Sequence, residues 1–91
     1  MVQVMCITID RSTGRAWGCR VGKDGLKLHV TAVYDEGLIP DWNRENSDLK
    51  IEVGDIIVKV NDIENDSGAM SQECKKEQKL NLRVLKSSGT D

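Results

Sequence analysis

The sequence predicts a small α+β domain, mainly β, in which five or six antiparallel strands form a partly open barrel or sandwich with one short and one longer helix. Three observations predict it. The chain has 91 residues, room for one hydrophobic core and no second domain. Short apolar segments alternate in period two at several places, bounded by Gly, Asn and Asp. Only residues 38–42 and 67–78 carry helical spacing. Leu, Ile and Val make 23 of the 91 residues, enough apolar side chain for a charged sequence to collapse and fold.

The first strand is expected before Ser12-Thr13-Gly14, with Met5, Ile7 and Ile9 on one face and Val4, Cys6 and Thr8 on the other. A second is expected from Trp17 to Val21. The turn-forming Gly22-Lys23-Asp24-Gly25 then leads into a third, in which Leu26, Leu28, Val30 and Ala32 alternate. Leu38, Ile39 and Trp42 share one face of a short helix with Pro40 in its first turn, and the polar residues Asn43 to Asp48 end it. Ile56 to Val60 is a dense β-branched run that reads as the most buried strand, closed by Asn61-Asp62. A longer helix over 67–78 takes Ser67 as its N-cap and places Met70 and Cys74 on its inner face. Leu80, Leu82 and Val84 form the last strand. The domain spans residues 1–88, and 89–91 read as a frayed tail.

Charge is segregated along the chain. Residues 1–34 hold five basic and two acidic groups, residues 35–66 three and ten, and residues 67–91 five and three. No continuous basic stripe interleaved with aromatics exists, so nucleic-acid binding is not expected. No run approaches the ~18 apolar residues of a membrane helix, nor do the first residues read as an export signal, so membrane insertion is not expected either. Cys6, Cys19 and Cys74 are odd in number and too far apart for a CxxC pair or a zinc site. They read as buried free thiols in an intracellular, reducing compartment, most simply the cytoplasm. His29 has no second ligand near it, so no metal, cofactor or catalytic set is expected, and Asp55 reads as a turn residue.

Three segments together resemble the PDZ family. Ala16-Trp17-Gly18-Cys19 stands where that family has its x-Φ-G-Φ loop. Val30 to Gly37 looks like its third strand and turn, and Ile51-Glu52-Val53-Gly54-Asp55-Ile56-Ile57 with Val60-Asn61 looks like its Φ-x-x-G-D-x-Φ…V-N segment. With the order of elements, the similarity covers nearly the whole chain. It implies an adaptor, not an enzyme, that binds the C-terminal peptide of a partner by strand addition in a groove between the second strand and the second helix. The residues carried over are Arg15, Trp17, Gly18, Cys19, Arg20 and Val21 from the loop and edge strand, and Ser67, Met70, Ser71 and Cys74 from the helix.

In that reading the amides of Trp17, Gly18 and Cys19 hold the terminal carboxylate, with Arg15 adding charge. Charge-assisted hydrogen bonds to the carboxylate at roughly 1.5–3 kcal/mol each and one buried apolar side chain, set against the cost of ordering the peptide, lead us to expect a net of about −7 to −8 kcal/mol, a low-micromolar affinity. Gly18→Val is expected to abolish binding and leave the fold largely intact. The first groove position of the helix is Ser67 or Gln72, and Trp17 either lines the groove or fills it. If it fills it, the chain is a structural subunit of a larger multi-protein assembly, with its groove closed.

Overall fold

Met5, Ile7 and Ile9 turn inward from β1 (Val4–Asp10), each at most 3% exposed, while Val4, Cys6, Thr8 and Asp10 face solvent. That alternation fixes the register of the first strand, because a one-residue slip would expose all three core residues. The computed structural model describes residues 3–86, so the 88/89 boundary and the frayed tail lie outside the described residues.

After β1 come β2 (Cys19–Asp24), β3 (Lys27–Val33), helix α1 (Leu38–Glu45), β4 (Ile56–Val60), the two-residue β5 (Ile63–Glu64), helix α2 (Ser67–Cys74) and β6 (Lys79–Leu85). The result is a mainly antiparallel α+β domain of six strands and two helices. Its sheet runs β1-β6-β4-β3-β2, with β5 on β4, and does not close. All pairings are antiparallel, so β1 and β2 form the two ends of the path. The core gathers Met5, Ile7, Leu28, Val30, Ile39, Ile51, Ile57, Val60, Met70, Leu80, Leu82 and Val84, with Cys19 and Val21 of β2 partly buried against it.

Several boundaries differ from the sequence expectation, each for a physical reason. β2 begins at Cys19 rather than Trp17 because the preceding carbonyls are spent elsewhere: Ala16 O and Trp17 O accept from Leu38 N and Ile39 N, and Gly18 O from Tyr34 N. These bonds satisfy two of the orphan amides that open α1. The hairpin turns at Gly25-Leu26, with Gly25 at φ 63, so Leu26 sits on the tip and is exposed. β4 has no exposed position, with two of its five residues buried and three half-buried. A bulge at Val58 breaks its alternation, leaving only Ile57 and Val60 buried, whereas β1 and β6 each bury three residues.

The two helices are equal in length, eight residues each. α2 stops at Cys74, short of the expected 78, because Lys75 and Lys76 close the helix end onto Gln72 O and Glu73 O. Its N-cap is Asp66, whose carboxylate accepts from Ala69 N at 3.0 Å; Ser67 is the first helical residue. Cys6 is exposed, unlike Cys19 and Cys74.

Asp55, fully buried, is more than a turn residue. It accepts from Glu52 N at 2.8 Å and from Lys86 Nζ at 3.0 Å, tying the 52–55 turn to the end of the last strand. Trp42 packs on the core and donates from its indole to Leu49 O at 2.8 Å, as a helix-packing residue should.

Candidate functional site

The candidate site is the channel between the open side of β2 and helix α2. β2 pairs with β3 alone among the described strands, so its other edge presents main-chain groups. An apolar pocket of about 260 Å³, mouth included, opens beside it, lined by Trp17, Cys19, Val21, Ile57 and Cys74. Cys19 and Val21 come from the edge strand, Cys74 from the last turn of α2, and Ile57 from the buried side of β4. Burial pushes the Cys19 thiol up to about 11 and the Cys74 thiol up to about 12, so both act as apolar wall rather than as nucleophiles at neutral pH.

The loop before β2 turns its two sides to different tasks. Its carbonyls are locked by α1 and Tyr34, while the amides of Trp17 and Gly18 have no acceptor among the described residues. Gly18 is buried, so this is an orphan donor of the kind folded proteins rarely tolerate without a ligand or water. Gly18 sits at φ 80 and runs against Gly37, so a Cβ on it would lie 2.5 Å from Pro40 Cδ. The expectation that Gly18→Val would spare the fold is therefore overturned: this glycine is needed for packing as well as for any ligand approach.

Two hydrogen bonds cross the channel at its ends. Trp17 Nε1 donates to Cys74 O at 2.7 Å, and Ser67 Oγ donates to Gly25 O at 3.0 Å. Trp17 thus both lines the pocket and latches the loop to the end of α2. Ser67 is the helix position that faces the β2 side, and Ser71 and Cys74 continue the same stripe at i+4 and i+7; Gln72 is exposed and off it. Met70, by contrast, is fully buried in the core and offers no surface to a ligand, because the helix face that points inward lies beside the stripe that points to β2.

The charge near the loop is also arranged differently from expectation. Arg15 is turned away to Asp41 of α1 at 2.8 Å, so it is not the cation of this site. Arg20 lies exposed on β2. Arg11, which the sequence reading passed over, reaches the site instead: its Nη1 donates to Cys74 O at 3.1 Å, beside the Trp17 indole. A single arginine at the end of a strand carries no sequence signal for this role, since the contact depends on where α2 ends.

Glu73, next to Cys74, anchors that helix end. Its carboxylate accepts from Asn61 Nδ2 at 2.9 Å and Gln78 Nε2 at 2.8 Å and pairs with Lys76 at 2.9 Å. Its pKa is lowered to about 2, chiefly by the Asn61 hydrogen bond and then by Lys76 and Gln78. Because the folded value lies below the ordinary 4.5, this stabilisation is complete above pH 4.5 and lost as the pH falls toward about 2. Comparing the urea midpoints of wild type and Glu73→Gln between pH 2 and pH 6 should show a gap at pH 6 that closes on acidification; a gap independent of pH would remove this assignment.

The fold and site define a small α+β domain with an open sheet edge, an apolar pocket beside that edge, and a preceding loop whose Trp17 and Gly18 amides have no acceptor among the described residues. No family model matches the sequence, and no curated protein is significantly similar to it. Among the described residues no helix is long and apolar enough to cross a membrane, and no cluster of His, Cys, Asp or Glu is placed to hold a metal ion.

Proposed function

We propose that this protein is a PDZ-like interaction module that takes the free C-terminus of a partner chain as an added strand on β2. One observation carries the reading: the amides of Trp17 and Gly18 have no acceptor among the described residues, and the loop that carries them leads into an open strand edge whose apolar pocket is lined by Trp17, Cys19 and Val21. A terminal carboxylate answers the amides, its side chain the pocket, and its backbone the strand edge. Arg11 supplies positive charge at the carboxylate end, and the three free cysteines suit a reducing compartment. Binding requires a peptide to sit under or displace the Trp17 and Ser67 bridges, which holds the expected affinity at low micromolar, about −7 to −8 kcal/mol.

A heteronuclear titration with a C-terminal peptide library, free-acid against amidated, tests this. Free-acid peptides should shift the amides of residues 17–21 and 71–74 and bind at least about tenfold more tightly than their amides, one charge-assisted hydrogen bond being worth that much. Trp17→Phe, which keeps the ring and removes the indole bridge to Cys74, should strengthen binding if the bridge restricts entry. Equal binding by both peptide forms would remove the carboxylate claim.

The two bridges favour a second reading, in which the channel stays shut and the domain is a structural subunit of a larger assembly. In that case no peptide binds to wild type or Trp17→Phe, and the protein is recovered in a stable stoichiometric complex.

A further inference from the structure

The sheet face turned away from the core carries a cluster that peptide binding leaves unused. β1, β6 and β4 lie side by side. Their register sets Cys6 opposite Arg83 and Arg83 opposite Lys59, and in the next row Thr8 opposite Asn81, whose amide N–H in turn donates to Asn61 Oδ1 at 2.9 Å. Cβ atoms opposed in this way stand about 4.5–5.5 Å apart, and two like charges so placed repel. Among the described residues neither Lys59 nor Arg83 has a carboxylate within ion-pair distance. Glu64 faces Lys59 across β4 and β5 without pairing with it, Glu73 is spent on Asn61, Lys76 and Gln78, and neither lines the cluster.

Between these side chains the surface dips into a hollow of about 450 Å³, mouth included. Its polar inventory is lopsided. Thr8 Oγ1 donates to Asn81 Oδ1 at 2.9 Å, and the Asn81 NH2 group has no acceptor among the described residues. Added to it are the Lys59 ammonium and the Arg83 guanidinium, so the hollow offers many donors and two positive charges with no acid on its lining. An occupant must accept hydrogen bonds and be anionic. Lys59 and Arg83 make no ion pair among the described residues, although Glu64 stands opposite Lys59 on the neighbouring strand, and a planar guanidinium fork beside a point-charge ammonium suits the oxygens of a tetrahedral anion.

We propose that this hollow binds a phosphate group, as the free anion or as the phosphomonoester of a small molecule. It shares no residue with the β2–α2 channel, so the two sites can be occupied independently.

The test is a titration of the full chain with sodium phosphate at constant ionic strength, followed by amide shifts, with sodium acetate as the reference anion. Phosphate should give saturable shifts at Thr8, Lys59, Asn81 and Arg83 and raise the thermal midpoint. Lys59→Gln and Arg83→Gln should each weaken binding about tenfold or more, and the double variant should lose both responses. Because both side chains lie on the outer face and repel each other, these variants should fold at least as well as wild type. O-phosphoserine separates the sources: tighter binding than inorganic phosphate marks a monoester site, weaker binding a free-anion site. No saturation up to about 50 mM phosphate, a range that covers any millimolar site, would overturn the proposal. So would an equal response to acetate or an undiminished response in the double variant.

Discussion

Gly18→Val is expected to unfold the domain or leave it barely stable, rather than to silence a single site. Gly18 holds φ at 80, a region that costs an L-residue about 1–2 kcal/mol. Its missing Cβ is space already occupied: a methyl there would stand 2.5 Å from Pro40 Cδ, 2.7 Å from Glu36 O and 2.9 Å from Gly37 Cα. Two of these neighbours are backbone and the third is a proline ring at the start of α1, so none can swing aside. Overpacking adds about 1–3 kcal/mol, for a total of about 2–5 kcal/mol. Gly25→Val is the control, because Gly25 has a similar φ of 63 and nothing within 4 Å of a Cβ; it should lose only the backbone part. Urea unfolding of both variants measures the difference, and equal losses would show that the contact with α1 is slack.

Asp55→Ala should be the other severe substitution, lowering stability by about 3 kcal/mol. The carboxylate is fully buried, caps Glu52 N at 2.8 Å and holds Lys86 Nζ at 3.0 Å, while Lys86 also donates to Glu52 Oε1 at 2.7 Å and Lys50 O at 3.0 Å. Removing it leaves an unmatched turn amide and loosens the anchor of the last strand. Asp55→Asn keeps an acceptor for Glu52 N and should cost less. Partial burial opposes the charge on Lys86, but the hydrogen bonds to Glu52 and Asp55 outweigh it and raise its pKa above 10.5. A raised folded pKa means that this contribution is whole below pH 10.5 and fades as the pH climbs through the folded value. The stability gap between wild type and Asp55→Ala should therefore narrow in strong alkali; a constant gap would show that Lys86 contributes nothing to it.

Much of the architecture was legible in the sequence because it rests on local periodicity. Met5, Ile7 and Ile9, and again Leu80, Leu82 and Val84, alternate without interruption, and each set is buried as a row. At β4 a bulge at Val58, which the β-branched run does not announce, breaks the row and leaves Ile57 and Val60 buried and the other three residues half-buried. Local spacing failed at α2, where it ran on to 78 but the chain turned after Cys74. Propensity marks where a helix can exist, whereas its end is set by where the partner strand must begin.

The site was legible in kind and misread in detail. Trp17, Cys19, Val21 and Cys74 do meet in one pocket. Met70 belongs to the core, Arg15 to an ion pair with Asp41, and Arg11 stands where Arg15 was expected.

The sequence by itself determined the α+β class and the alternating rows of β1 and β6, because alternation and turn chemistry act over a few neighbouring residues. Only the tertiary structure decided which arginine meets the end of α2, that an indole and a serine bridge the channel, and that Lys59 and Arg83 face each other with no ion pair among the described residues. Those outcomes join residues up to 63 positions apart, and a contact of that span is set by sheet register and helix termination, which no local pattern encodes.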